Sequence, residues 1–472
     1  MNKKKYLIFS LFLFLPIIYA SVLSINDILS PKFCLFAVFV NIFIFLKYQQ
    51  NSEFKGLWYK PSNVFIFAYL CVNFQYVVDL CLNYRLYDDF YNPSTVNTMT
   101  WLSALGIVAF SIGYYLAPKP KQKYNDEPNV VFGKTIISFI QVLLFALWVL
   151  TADVARIAAG LTYGDEDKST NSFESLFYCA TIALLVTIIV NKKSLNLKGF
   201  KEFVKSIHPV NWICICAYLL IRLMSGDRGS FMYMLLAIFY TYVMLTNAKL
   251  RMTRIVVAIV GFALLLNLIG IARSSTLEKG FIDRITIAFT DFSSSDARFS
   301  ERTISPLTEE LAGSVLCNEI AVNEIDNRHQ TLHYGKYTFY QIVQCIPFVS
   351  SFLANTLKIP DDELSSNIMM TDIYVGRHDI YQIGTTVVAE SYLDMGVIGV
   401  IIMLLFIGYC FKYIDYCICI DQPTSIVQLC AVLLFASMAI YIPRSTFFIQ
   451  LKKIIPILVL FFTNKIFYQA KR

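Results

Sequence analysis

Five arginines stand where apolar runs of the sequence end. Arg222 and Arg228 flank the turn Ser225-Gly226-Asp227-Arg228-Gly229-Ser230. Arg273 closes Ile271-Ala272-Arg273-Ser274-Ser275, Arg377 opens Arg377-His378-Asp379, and Arg444 sits between the last two apolar runs. A guanidinium keeps its charge and offers a planar fork of donors that fits phosphate bidentately, which suits a pyrophosphate-linked lipid at a membrane face. The plainer role of each is to anchor a helix end to lipid phosphate. Asp227 and Asp379 lie within the same turns as candidate contacts to a diphosphate or sugar. Glu390 stands a turn or two into an otherwise apolar run, where an ionisable group is costly without a partner or a task. Three readings of it stay open: a general base, a partner for an arginine, or a polar residue in a water-filled bundle. His378 and Asp379 are further candidates for the base. Asp88-Asp89 and Asp165-Glu166-Asp167 could hold a divalent cation beside a diphosphate, but acidic runs in exposed loops are common, and neither a metal nor another cofactor is expected. No Ser/His/Asp arrangement falls on defined elements, and no Gly-rich loop is present to cradle a phosphate.

The elements that must position these residues are membrane spans. The chain has 472 residues, 57% hydrophobic and 15% charged, with a mean hydropathy of +0.57, far outside the range of water-soluble domains. The net charge of +7 comes from Lys and Arg in short clusters between apolar runs, the pattern of loops beside a membrane rather than of a nucleic-acid surface. A span takes about 20 mostly apolar residues, and such runs begin near Tyr6, Phe33, Ser62, Met99, Lys134, Glu174, Val210, Ser230, Arg254, Thr385, Ile426 and Lys453. The expected fold is therefore an all-α polytopic transmembrane bundle of about twelve spans. The first run follows Lys3, Lys4 and Lys5 and ends in Ala20 and Ser21, so a cleaved signal peptide is an alternative for it.

Lys and Arg accumulate on the cytoplasmic side of short loops. Segments 47-61, 118-134, 191-209 and 247-254 are rich in them, whereas 24-32, 84-98, 152-173 and 225-229 carry only Lys32, Arg85, Arg156, Lys168 and Arg228 between them. Both termini are accordingly placed in the cytoplasm. The chain divides into residues 1–272 (spans one to nine), 273–384 (a large loop on the outer face) and 385–472 (the last three spans). A loop of about 110 residues is long enough to be a functional domain, and it holds His329, His333 and His378. Within it Thr338 to Leu357 is amphipathic and reads as an interfacial or re-entrant helix. Most of the twelve cysteines lie in apolar runs as small buried hydrophobes. Cys317 and Cys345 lie in the loop, where two free thiols are the ordinary reading and a disulfide the alternative.

The large outer loop before the last three spans, the Ser225-to-Ser230 turn, Ala272-Arg273-Ser274 and the stretch Gly384 to Gly399 together resemble the O-antigen polymerases of Wzy type. Arg302 and Gly313 repeat an eleven-residue Arg-to-Gly spacing seen in some members, which chance alone produces readily. The resemblance implies a membrane glycosyltransferase in lipopolysaccharide biosynthesis. It would polymerise undecaprenyl-diphosphate-linked oligosaccharide repeat units on the outer face of a bacterial inner membrane, with membrane lipid around it and a chain-length regulator as a possible partner. Arg228, Arg273, Arg377, Glu390 and His378 would then be catalytic, and Arg222, Asp227, Asp379 and Arg444 would bind diphosphate or sugar. An O-antigen ligase, a metal-dependent polyprenyl-phosphate-sugar transferase and a lipid-linked oligosaccharide flippase are the rivals; the last is disfavoured because no inverted repeat is found.

The charge pattern makes the topology testable. Reporter fusions at Lys123, Lys198 and Asp421 are expected to report cytoplasm, and fusions at Asn92 and His329 the opposite side; a cytoplasmic signal at His329 overturns the orientation.

Overall fold

In hydrocarbon no water is available to backbone N–H and C=O groups, so a crossing segment must pair them internally, as a helix does. The computed structural model describes residues 3–23, 27–84, 92–119, 133–152, 172–191, 199–225, 228–246, 308–327, 331–346, 365–376, 383–420 and 425–470, with isolated positions at 250, 253, 257, 261, 349 and 356. All regular elements among them are helical. Seven helices are long and apolar enough to cross a membrane. They are α1 and α2 taken together (Lys3–Phe12, Phe14–Ser21), α3 (Leu29–Gln50), α4 (Pro61–Cys81), α5 (Pro93–Leu116), α7 (Ser172–Val190), α10 (Arg228–Thr246) and α15 (Val387–Cys419). An eighth is added if α8 (Phe200–Ser206) and α9 (Pro209–Ser225), which meet at 100°, count as one broken span. Two further apolar helices are shorter, α6 (Thr135–Thr151) and α16 (Ile426–Ser437), and α17 (Ile454–Ala470) closes the chain. The expected polytopic helical bundle is observed. The ninth expected span, from Arg254, lies outside the described residues apart from positions 257 and 261.

Local signals start the helices. Pro61 and Pro93 occupy the first turns of α4 and α5, where the missing N–H costs nothing, and Asn92 accepts from the Ser94 amide at 3.2 Å. Pro16 cannot donate to the carbonyl four residues back, which accounts for the break between α1 and α2 at Leu13. Lipid-facing stripes follow from spacing: Phe36, Phe39 and Phe43 recur along one exposed face of α3.

The centre of the bundle is the contact between α5 and α15. A side chain on Gly113 would overlap the Leu405 carbonyl, and one on Gly408 would overlap the Phe110 carbonyl, so the two backbones meet directly. Small residues permit such approach where no hydrophobic drive exists between helices in lipid. Phe65, Phe110 and Phe411 fill the adjoining space, with ring centroids 4.7 Å apart for Phe65–Phe110 and 5.0 Å for Phe65–Phe411.

The two ends of the bundle differ. At one end, fully buried Asp415 of α15 accepts from the Ser62 amide at 3.0 Å, the Ser62 hydroxyl at 2.5 Å and the Tyr114 hydroxyl at 2.7 Å, joining α4, α5 and α15. Lys412 reaches Glu53 at 3.3 Å and lies 4.2 Å from the Phe54 ring centroid. Partial burial works to raise the Glu53 pKa, but the charges of Lys412 and Lys119 outweigh it and hold the carboxyl below the ordinary range. Burial pushes the Lys60 ammonium, just before α4, down to about 8. Lys60 and Lys119, from two of the Lys-rich segments, stand at this end, and Lys3 donates to the Ala117 carbonyl there at 3.3 Å. The opposite end, called the loop end below, carries the residues between 308 and 386.

Glycine-to-valine substitutions at Gly113 and Gly408 are each expected to destabilise the bundle by about 1–3 kcal/mol or more, as overpacking does. Membrane abundance and thermal unfolding of the purified protein should both fall, while Phe39→Leu on the lipid face leaves them unchanged.

Candidate functional site

The stretch containing Glu390 is not a plain span. Within the 33 residues of α15, Met395 (φ −140°, ψ 20°) and Gly396 (φ 62°, ψ −150°) leave the helical region. The Gly396 conformation is essentially confined to glycine. Beyond this break, residues 397–419 suffice to cross a membrane, at about 20 residues per span. Before it, residues 387–394 form a short arm folded so closely that a side chain on Gly399 would overlap the Ser391 carbonyl. Thr386 caps the arm, accepting from the Ala389 amide at 3.0 Å, and hydrogen-bonds in turn to Asn318.

Glu390 is buried, 4% exposed. It accepts from the Ser366 hydroxyl at 2.5 Å, and Gln341 lies against it. Ser366 opens α14 (Ser366–Val375), and Gln341 belongs to α13 (Lys336–Gln344). α13 covers the first part of the amphipathic stretch Thr338 to Leu357, most of which beyond Ile346 lies outside the described residues. Its amino end is held from outside: Asp394 accepts from the Tyr337 amide at 3.1 Å and from the Thr338 amide and hydroxyl at 2.9 and 2.7 Å. A carboxylate there pairs amides that a helix cannot pair itself and suits the positive end of its dipole. Phe339, Ile342 and Ile346 are exposed along its outer side.

The loop segment is seated in the bundle by polar contacts. Thr308 donates to Gln75 of α4 at 2.5 Å, Asn318 to Asn73 of α4 at 2.8 Å, Thr95 of α5 to Asn323 at 2.8 Å, and Tyr392 to Asp326 at 2.7 Å. Asn318 belongs to α12 (Leu316–Val322), which follows α11 (Glu309–Ala312). Cys317 and Cys345 are free thiols, as the ordinary reading has it. Burial pushes the Cys317 thiol up to about 12, opposed by the nearby charge of Arg444.

The sequence-derived candidates fall into three groups. Asp227, Arg273, Arg377, His378 and Asp379 lie outside the described residues, as do Asp88-Asp89, Asp165-Glu166-Asp167 and Arg302. Arg228 opens α10 at the loop end. Arg222, Glu390 and Arg444 are described fully, and all stand at that end. Arg222 is buried, forms an ion pair with Glu174, and lies 5.5 and 5.9 Å from the ring centroids of Trp148 and Tyr218. Tyr218 donates to the same carboxylate at 2.9 Å. Arg444 ends the short helix Ile442–Arg444, which packs against α4 and α15. Its amide donates to the Tyr441 carbonyl at 2.8 Å, and the Tyr441 ring meets that of Tyr233 of α10 at 5.2 Å. Glu390 and Arg444 are thus joined to one region through Cys317, whose thiol lies 3.6 Å from the Gly384 carbonyl, and through Thr385, 3.3 Å from Ser366. Among the described residues no group of three or more His, Cys, Asp or Glu is arranged to hold a metal.

A family model described as O-antigen polysaccharide polymerase Wzy matches residues 6–471. The chain belongs to that family. No curated relative and no solved structure matches it. As a Wzy-family member it is a multi-pass membrane protein that polymerises polysaccharide repeat units in O-antigen synthesis, acting on lipid-linked oligosaccharide units in the membrane. At the loop end of this polymerase stand the buried carboxylate Glu390, the ion pair of Arg222 with Glu174, and Arg444. Gln341 and Ser366 escaped the sequence reading because nothing local marks them, whereas Asp394 is legible in the same cluster as Glu390, two residues before Gly396, though not its hold on α13.

Because Asp394 alone supplies the described caps to α13, Asp394→Ala should cost about 1–2 kcal/mol. Amide hydrogen exchange across 336–344 should quicken about tenfold relative to the rest of the bundle; unchanged exchange there rules out the clamp.

Proposed function

We propose that this polymerase is a glycosyltransferase acting on the outer face of a bacterial inner membrane, with both termini cytoplasmic. It moves the growing chain from undecaprenyl diphosphate onto the next lipid-linked unit. A hydroxyl oxygen of the incoming unit attacks the anomeric carbon of the chain's reducing-end sugar. The bond from that carbon to the diphosphate oxygen breaks with its electron pair, and the hydroxyl proton passes to a base. Negative charge grows on the leaving diphosphate, so fixed cations aimed at it stabilise the transition state.

In this reading Arg228, Arg273, Arg377 and Arg444 receive the diphosphate. Glu390 is the base, with His378 and Asp379 near it in sequence and Asp227 contacting sugar. Arg222, tied to Glu174, acts at one remove by fixing the end of α9 from which the Asp227-Arg228 turn departs. The observation that carries the reading is the common location of Glu390, Arg444 and the start of α10 at the end of the bundle that bears the 308–386 segment. Lys60 and Lys119 of the Lys-rich segments stand at the other end, in keeping with the positive-inside rule for a cytoplasmic face. A chain-length regulator is a partner consistent with this activity.

Arg228→Lys and Arg273→Lys keep the charge and remove the bidentate fork. Each is expected to raise the barrier by about 2–4 kcal/mol, roughly a hundredfold or more in rate, whereas Arg251→Lys and Arg254→Lys are tolerated. Glu390→Gln abolishes activity if the carboxylate is the base, and leaves most of it if the group only accepts the Ser366 hydrogen bond. The readout is the ladder of polymer lengths in cells lacking the native gene, with membrane abundance measured in parallel. Normal ladders from both lysine variants at normal abundance would falsify the arginine-centred mechanism.

A further inference from the structure

We propose that Tyr334 is the stacking platform of a saccharide subsite, its phenol ring receiving one sugar of the repeat unit beside the arm that carries Glu390. The proposal deepens the polymerase reading and rests on it. It begins with backbone strain. Among the described residues only two other than glycine hold a positive φ, Asn83 at 61° and Tyr334 at 50°. A left-handed backbone suits asparagine, whose short side chain can bond locally, but it crowds the Cβ of a bulky residue against the carbonyl that follows. Glycine adopts it freely, as Gly335 does next in the chain at 86°. Burial gives the ring nothing in return, since Tyr334 is 80% exposed. A residue in so sparsely populated a conformation persists only where its surroundings impose it, and such residues cluster at ligand sites.

The surroundings that impose it belong to the candidate site. On either side of Tyr334, the His333 amide donates to the Leu393 carbonyl at 2.9 Å and the Gly335 amide to the Asp394 carbonyl at 3.3 Å. Leu332 packs at the break in α15, where a side chain on Gly396 would meet its Cδ1 at 3.5 Å. The His333 ring lies 4.5 Å from that of fully buried Tyr337, whose amide the Asp394 carboxylate holds. The turn is thus tied to the end of the arm on both sides of the one residue left in the open. Glu390 stands four residues before Asp394, about 6 Å along a helix, so a ring at 334 is set to hold a sugar of the repeat unit rather than to touch the reacting atoms. The C–H bonds on one face of a pyranose carry partial positive charge and lie flat on the electron-rich face of an aromatic ring, while the sugar hydroxyls stay in water. Bilayer lipid is the other chemistry that takes an exposed tyrosine, and the neighbours favour sugar. The nearest exposed residues along the chain are polar, Thr331 and Lys336, whereas the exposed apolar side chains Phe339, Ile342 and Ile346 come later.

The test uses the full-length protein in lipid nanodiscs, with the lipid-linked repeat unit extracted from its own cells as substrate. Tyr334→Gly removes the ring and also relieves the left-handed backbone, so a ligand role and a structural role move apart. A stacking platform predicts thermal unfolding no lower than native and a KM for the lipid-linked unit raised about tenfold. Its kcat should change little, the mark of lost uniform binding. Tyr334→Phe keeps the ring and should retain most of the affinity. Tyr334→Trp supplies a reporter that does not depend on the glycine variant: its added emission should shift with free repeat-unit oligosaccharide and escape quenching by brominated lipid. A native KM in Tyr334→Gly at normal abundance, a lower unfolding temperature, or a lost kcat at native KM overturns the proposal while the native protein still polymerises. Quenching of the Tyr334→Trp emission by brominated lipid, with no response to the oligosaccharide, assigns the ring to the bilayer and overturns it equally. A native protein that makes no polymer from lipid-linked units instead overturns the polymerase reading beneath it.

Discussion

Hydrocarbon offers no hydrogen bonds to a peptide backbone, and this constraint organises the whole molecule. Where the chain crosses in full it is helical, and the helices are joined by glycine contacts such as Gly113 against Leu405 and Gly408 against Phe110. Where helices stop early, at Met395–Gly396 and between Ser437 and Ile454, the exposed backbone needs cover. The described parts of the segment between 308 and 386 are seated on α4 and α5 through Gln75, Asn73 and Thr95, and at the break in α15 the Leu393 and Asp394 carbonyls accept from the His333 and Gly335 amides.

The two ends of the bundle use charge for different purposes. At the opposite end Asp415 is saturated by three donors and Glu53 is shared between Lys412 and Lys119, so the charges are consumed in holding α4, α5 and α15 together. At the loop end Arg222 and Glu174 form a pair of that consumed kind, packed on Trp148. Glu390 has a different setting. Its described hydrogen bond comes from a hydroxyl, with an amide side chain beside it, and no described ion pair includes it. A carboxylate kept by neutral donors retains the freedom to take up a proton, which a carboxylate locked to a guanidinium does not. Placement within one broken helix thus gives two carboxylates only four residues apart different settings, Asp394 accepting from two amides and a hydroxyl of α13 and Glu390 from the Ser366 hydroxyl.

What was legible in the sequence was whatever accumulates along the chain. Apolar run length determined the helical membrane class, Lys and Arg spacing separated two sets of loops, and the cost of a carboxylate in an apolar run singled out Glu390. The short motifs pointed to the family that the match over residues 6–471 then established. Tertiary structure alone decided the rest. Hydropathy reads a helix without its rotation or its neighbours, so it could not tell that the Thr385 run breaks at Gly396 or that the Ile426 run ends at Ser437. Nor could it pair Arg222 with Glu174, cap α13 with Asp394 from 57 positions away, or bring Tyr178 over Lys453. Those partners are chosen by how helices pack against one another, and packing is a property of the assembled bundle that no single stretch of residues carries.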